Sequence, residues 1–297
     1  MFIQFFGGYL LSNGIVTAEQ LIAAMEKESS IYIQLDTLAM HAGLMTPEQI
    51  EEVRIAQTHN DKHFGEICIE KGYLTEKQVN ELLVSQYPQY LLLGQILEEN
   101  GVFDQATFHE LVQAYITDNQ IKEEDLPNES GETVFSMLNE YCSEMESPNK
   151  AYQLEYLNLL LNNLVRFIGD DFTLLRPVMR SSSYPTQKYA SQRITGIYEV
   201  TSVLDMSEDA AIAFASRYVS EEFEEFDEYV QASIEDFLNL HNGLFNVNIS
   251  NSYSVELGLE PPISGEDHAV EDAKCTYIFP ALFPFGIVNI VLSETEH

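Results

Sequence analysis

His63-Phe64-Gly65-Glu66-Ile67-Cys68-Ile69-Glu70-Lys71-Gly72-Tyr73-Leu74-Thr75 decides the fold of the first 117 residues, because its skeleton occurs four times. Gly14-Ile15-Val16-Thr17, Gly43-Leu44-Met45-Thr46, Gly72-Tyr73-Leu74-Thr75 and Gly101-Val102-Phe103-Asp104 stand 29 residues apart. Seven residues before each glycine come Gly7, Asp36, Gly65 and Gly94, and three after each Thr or Asp come Gln20, Gln49, Gln78 and Thr107. Leu21 and Met25, Ile50, Val79 and Leu83, and Phe108 and Val112 keep the same step. Each unit reads as a helical hairpin. The first helix ends at a glycine suited to a left-handed C-terminal residue, and Thr or Asp then caps the second. That second helix carries the apolar stripe of an amphipathic helix. One hairpin cannot bury its apolar face alone, so residues 1–117 are predicted to form an all-α domain of four stacked hairpins.

Working outward, 297 residues predict two domains. Forty-eight acids less fourteen bases leave a charge of −34, which excludes a nucleic-acid binder relying on Lys and Arg to neutralise phosphates. The same balance argues against an anionic membrane surface. An apolar content of 45% is that of folded domains rather than of a disordered chain. No apolar run approaches the ~18 residues of a membrane span. Met1 to Leu11 lacks the basic flank and small-residue cleavage site of a secretory signal, so a cytoplasmic protein is expected. Cys68, Cys142 and Cys275 lie far apart and form neither a CxxC nor a disulfide framework.

Residues 118–149 hold nine acids against the single Lys122 and read as an acidic linker. Leu126 to Gly131 breaks structure there, Val134 to Cys142 is predicted as one short helix, and Ser147-Pro148-Asn149 ends it. From residue 150 onward the pattern changes. Leu154 to Ile168 is a strongly apolar helix, and Thr173 to Val203 alternates β-prone runs with turns. Tyr184-Pro185 interrupts that region, and Gly196 to Thr201 is its clearest strand. Asp209 to Val219 is helical, as is Glu221 to Leu240 with a break near Phe226-Asp227. Strands at Tyr253 to Leu259, Thr276 to Pro280 and Gly286 to Leu292 complete the second domain, 150–297. The prediction is α+β overall, the second domain packing helices on an antiparallel sheet.

The repeat unit at His63 to Thr75 resembles one half of the N-terminal domain of type II secretion and type IV pilus ATPases. Some members of that family bind cyclic di-GMP through paired motifs opening Arg-Leu-Gly. Phe5, Gln34, His63 and Leu92 stand in the arginine's place here, and guanine recognition leans on Arg. A packing or docking domain is therefore expected ahead of a nucleotide sensor.

The second domain carries Asp236-Phe237-Leu238-Asn239, then Gly243, and then Pro262, with twenty-two residues between Asn239 and that proline. That pattern resembles the CheX/CheC family of chemotaxis phosphatases, related in fold to flagellar switch proteins. The resemblance, which extends to the order of elements, implies a CheX-like α+β domain that acts on the receiver domain of a response regulator. Asn239 would orient the water that hydrolyses the receiver's aspartyl phosphate, and Asp236 would pair with the receiver's lysine. The Mg²⁺ would be the receiver's, with no cofactor of this chain's own. Two departures stand out. Asp236 occupies the family's Glu position, and Ala232 stands where Asp or Ser is usual, while Glu235 points about 100° away around a helix. The alternative is a catalytically degenerate binding or scaffold module in chemotaxis, motility or secretion. A second i, i+3 pair, Glu155 and Asn158, lacks the matching proline, since Ser181 stands at that distance. His241 is read as a helix-end residue rather than a base. Arg176, Arg180, Lys188 and Arg193 are read as a solvated group balancing nearby acids, and a homodimer through an exposed sheet edge is left open. There is no HExxH, P-loop, GxSxG or GxGxxG.

Overall fold

The computed structural model describes residues 2–28, 33–58, 62–84, 90–121, 131–181, 183–267, 269–270 and 273–295. It divides into two compact units. One comprises Val16–Ser130, and the other Ile3–Ile15 together with Gly131–His297. Helices are numbered in chain order: α1 Phe2–Ser12, α2 Ala18–Glu28, α3 Leu35–His41, α4 Pro47–Thr58, α5 Phe64–Glu70, α6 Glu76–Val84, α7 Tyr90–Glu99 and α8 Gln105–Asp118. Their glycine turns recur at the 29-residue period, and the helix contacts run between α2 and α7, α4 and α5, α3 and α6, and α7 and α8.

The chemistry of each turn explains the repeat. Gly14, Gly43, Gly72 and Gly101 all lie at positive φ, between 64° and 76°. The next residue's N–H reaches back to close a Schellman turn, as in Leu44 to the Ala39 carbonyl at 2.9 Å and Tyr73 to the Cys68 carbonyl at 2.9 Å. Thr17, Thr46 and Thr75 then form reciprocal capping boxes with Gln20, Gln49 and Gln78. Asp104 takes the Thr107 N–H at 2.8 Å in the fourth copy. Gly94 lies against Phe108, where an added Cβ would stand 2.3 Å from the ring. In the second copy Asp36 replaces that glycine. It is buried, and its carboxylate binds Arg54 at 2.8 and 3.0 Å, while Arg54 also holds Glu98 on α7.

The other unit continues with α9 Gly131–Tyr141, α10 Lys150–Phe167, β1 Thr173–Leu174, β2 Val178–Arg180, β3 Tyr184–Pro185, β4 Lys188–Thr195, β5 Val200–Met206, α11 Glu208–Val219 and α12 Glu228–Tyr253. Then come β6 Gly258–Leu259, β7 Ile263–Glu266, β8 Ala269–Val270, β9 Ala273–Phe283 and β10 Gly286–Thr295. The fold is α+β, with an antiparallel sheet ordered β1-β9-β10-β5-β4-β6. β2 adds to β9, β7 adds to β4, and β3 and β8 pair separately. Gln192 on β4 faces Ser202 on β5, and Ser191 faces Val203. Val203, Val291, Ile278, Tyr184 and Tyr189 form an apolar cluster. α11 and α12 pack together, and α12 also lies on β4 and β5.

Several boundaries differ from the sequence expectation. Helix α1 stands with the C-terminal unit rather than with residues 16–130. Gly7 and Gly8 sit so close to Thr173 and the Leu174 carbonyl that a Cβ would approach within 2.0 and 1.9 Å. Gln4 donates to the Asp170 carbonyl at 2.6 Å. Residues 131–149 are likewise packed rather than free, with Val134, Met137, Leu138 and Cys142 buried and Tyr141 donating to the Leu175 carbonyl. Of the break expected at Leu126 to Gly131, residues 126–130 lie outside the described residues, and Gly131 already begins α9. Gly196 to Tyr198 is the turn between β4 and β5 rather than a strand, because Gly196 takes φ of 120°. Residues 221–227 are not helical. Asp227 instead caps α12 through the Tyr229 and Val230 N–H groups, and α12 runs to Tyr253, leaving only Gly258–Leu259 of the expected strand.

Candidate functional site

Asp236 and Asn239 lie one turn apart on α12, and both are exposed. At 3.6 residues per turn, Tyr229, Ala232, Gly243 and Val247 fall on the same stripe. Tyr229 is 65% exposed and Val247 56%, so an exposed apolar side chain borders the polar pair about two turns away on either side. Among the described residues an added Cβ at Gly243 meets nothing within 4 Å, so none of their contacts requires this glycine. Glu235 is half-buried and off the stripe, as its angular offset predicts.

Each site side chain is held from a different direction. The Tyr218 hydroxyl on α11 donates to Asp236 Oδ2 at 2.6 Å. Burial, together with that carboxylate, pushes the Tyr218 hydroxyl above its ordinary range, which keeps it a donor. Gln192 Nε2 on β4 donates to Asn239 Oδ1 at 2.8 Å and to the Glu260 carbonyl at 2.8 Å. Glu260 precedes Pro262 by two residues, in the turn between β6 and β7. The β6–β7 turn that carries Pro262 thus meets β4 at Gln192. Beneath Gln192 lies a buried polar chain. Asn242 Nδ2 donates to Gln192 Oε1 at 2.9 Å and to Ser202 Oγ at 2.8 Å, and the Tyr156 hydroxyl donates to Asn242 Oδ1 at 3.0 Å. Sequence reading missed Tyr218, Gln192 and Asn242. The available signal for Gln192 was a glutamine sharing one strand face with Ala190 and Ile194, both fully buried.

No protein-family model and no curated protein matches the sequence. About half of the chain is similar in structure to chemotaxis proteins of the CheC and CheX type. A CheC-like superfamily protein from Shewanella sp. PV-4 is 17% identical and matches 48% of this chain and 96% of its own, with a TM-score of 0.42. CheX from Desulfovibrio desulfuricans is 13% identical over 48% of this chain and 97% of its own, also with a TM-score of 0.42. The CheX–CheY complex from Borrelia burgdorferi, solved with BeF3 and Mg²⁺, matches 49% of this chain and 98% of its own at 18% identity and a TM-score of 0.43.

The remaining candidates resolve individually. His241 lies inside α12 rather than at its end. It is fully buried, edge-on to Tyr156 at 4.4 Å, with Nδ1 3.1 Å from Asn163 Nδ2, and burial lowers its pKa to about 3. It cannot act as a base from there. Glu155 and Asn158 are half-buried on α10. Lys188 pairs with Glu208 and Glu266, and Arg193 with Glu199. In the repeat unit, a cavity of about 20 Å³ bounded by Thr37, His41, Tyr90, Gln105 and Phe108 has room for one water and none for a nucleotide. Among the described residues no group of three or more His, Cys, Asp or Glu is arranged to hold a metal, and no helix is long and apolar enough to cross a membrane.

Proposed function

We propose that the C-terminal unit docks the phosphorylated receiver domain of a response regulator and hydrolyses its aspartyl phosphate. The observation carrying this reading is the pair Asp236 and Asn239, exposed together on one stripe of α12, with the Asn239 amide anchored from below. Aspartyl-phosphate hydrolysis needs an in-line water and a charge-neutralising surround more than covalent help from the protein. An asparagine amide hydrogen-bonds without titrating, and with its oxygen held by Gln192 the group it offers here is the NH₂. Asp236 places a carboxylate one turn away on the same stripe, and a receiver lysine is the partner this reading assigns to it. The apolar border and the bare helix surface at Gly243 suit close approach of a partner's backbone. The metal in this scheme belongs to the receiver.

A second reading has one observation in its favour. Tyr218 already occupies one oxygen of Asp236, and Asp is a methylene shorter than the Glu of the resembled motif, so the surface would bind a receiver without acting on it. The two readings part on one experiment, the decay of phosphorylated receivers with wild type and Asn239→Ala. Accelerated decay that Asn239→Ala removes supports hydrolysis. Binding without acceleration leaves the second reading.

A further inference from the structure

We infer that Gln192 is the positioning residue for Asn239, fixing its amide so that the NH₂ group faces the docking side. The inference rests on the hydrolytic reading above, but its central observation is independent of it. A backbone carbonyl only accepts, so the Gln192 atom at 2.8 Å from the Glu260 carbonyl is its NH₂. That same NH₂ spends its second hydrogen on Asn239 at 2.8 Å, which makes the Asn239 atom there its carbonyl oxygen. Asn239 Nδ2 is left as the outward group. Gln192 Oε1 in turn accepts from Asn242, whose own Oδ1 accepts from Tyr156. The orientation thus passes from a fixed backbone acceptor, through a side chain only 2% exposed, to an exposed one. Ser202, directly across the β4–β5 ladder from Gln192, completes the network by donating to the Gln192 carbonyl at 3.2 Å and accepting from Asn242.

A glutamine is a costly filler between Ala190 and Ile194 on a buried strand face, where an apolar side chain would pack without needing partners. Here every polar atom of the amide is satisfied, and a satisfied network rigidifies what it touches. The element made rigid is the one exposed amide on the site stripe. An outward NH₂ selects an acceptor, namely a phosphoryl oxygen or the lone pair of the attacking water. It also spares the site the entropy of ordering a free asparagine during the reaction.

Two measurements test this. The first needs no variant. In ¹⁵N spectra of the full chain, the Asn239 NH₂ pair, identified by its loss in Asn239→Ala, is expected to show the restricted motion of an anchored amide, with the Gln192 NH₂ protected from exchange. Free rotation of Asn239 in wild type overturns the inference. The second uses Gln192→Leu. Its receiver-decay rate at saturation is expected to fall roughly tenfold or more while half-saturation stays within about twofold, because docking contacts are untouched and only alignment is lost. An unchanged rate overturns the inference, as does a change in half-saturation alone. If wild type accelerates no receiver, the hydrolytic reading fails by itself, and the Asn239 amide motion still decides the role of Gln192. If Gln192→Leu does not fold, the wild-type spectra decide.

Discussion

Asp236 tests how much reach matters at this site. With one oxygen held by Tyr218 at 2.6 Å, the carboxylate has a fixed direction but a stem one methylene shorter than a glutamate's. Asp236→Glu restores that length on the same helical stripe and is expected to raise receiver decay several-fold, since displacements near 1 Å cost on the order of a hundredfold in aligned reactions. Asp236→Ala removes the charge and should weaken half-saturation more than any alanine on the apolar border. Steady-state decay assays read both, and a slower Asp236→Glu would show that the lysine pairing is absent. His241 supports a different prediction, on stability. Its pKa of about 3 in the folded chain lies below the ordinary 6.5, so between these values the unfolded chain binds a proton that the folded one refuses. Stability from this group is complete above 6.5 and drains as pH falls toward 3, by up to about 1.4 kcal/mol per pH unit. His241→Gln keeps an acceptor for Asn163 and should flatten that dependence in urea titrations. Subtracting the variant from wild type cancels the many carboxylates that titrate in both, and a flat difference curve would show that His241 is not buried in its neutral form.

The hairpins and α12 show what local sequence can and cannot specify. Each repeat turn is written within seven residues, from the left-handed glycine to the Thr–Gln box, and is therefore legible without tertiary knowledge. The close approach at Gly94 is not local, because it depends on Phe108 fourteen residues later. Gly94→Ala drives a methyl into that ring and is expected to cost about 1–3 kcal/mol by thermal or denaturant unfolding, the usual range for overpacking. Asp36 shows the alternative solution at the same register. A larger, charged side chain is accommodated there with its carboxylate paired to Arg54 on α4. The C-terminal half of α12 was illegible for the opposite reason. Asn, Ser and Val between 242 and 252 disfavour helix locally, and the burial of His241, Asn242, Phe245 and Ile249, with His241 and Phe245 against α10 and Asn242 on the sheet, overrides that preference. The pair Asp236 and Asn239 could be found because an i, i+3 spacing is a local pattern. Gln192 and Tyr218 could not, because their partners lie 47 and 18 residues away.

At the scale of the whole chain, the repeat period and the compact units do not coincide. The first hairpin belongs to the 29-residue pattern, yet α1 stands in the same unit as α9, α10 and the sheet. Two adjacent glycines explain why. Gly7 and Gly8 strip one side of α1 to bare backbone, letting it settle on β1 at distances no side chain permits. Phe5 then meets Tyr141 at 5.7 Å between ring centres, and Gln4 ties the helix to Asp170. A fragment of this unit without α1, residues 131–297, would lose the helix that Gly7 and Gly8 seat against β1. Burying a phenylalanine such as Phe5 is worth about 1.5–3 kcal/mol, a sizeable part of the 5–15 kcal/mol that typically holds a domain together. The fragment is therefore expected to unfold at a clearly lower temperature than residues 131–297 joined through a flexible tether to residues 1–15. Gly8→Leu within the tethered form should cancel the gain, since its Cβ would collide with the Leu174 carbonyl. Equal melting of the two fragments would mean that α1 is dispensable to the sheet, and the boundary would then follow the repeat.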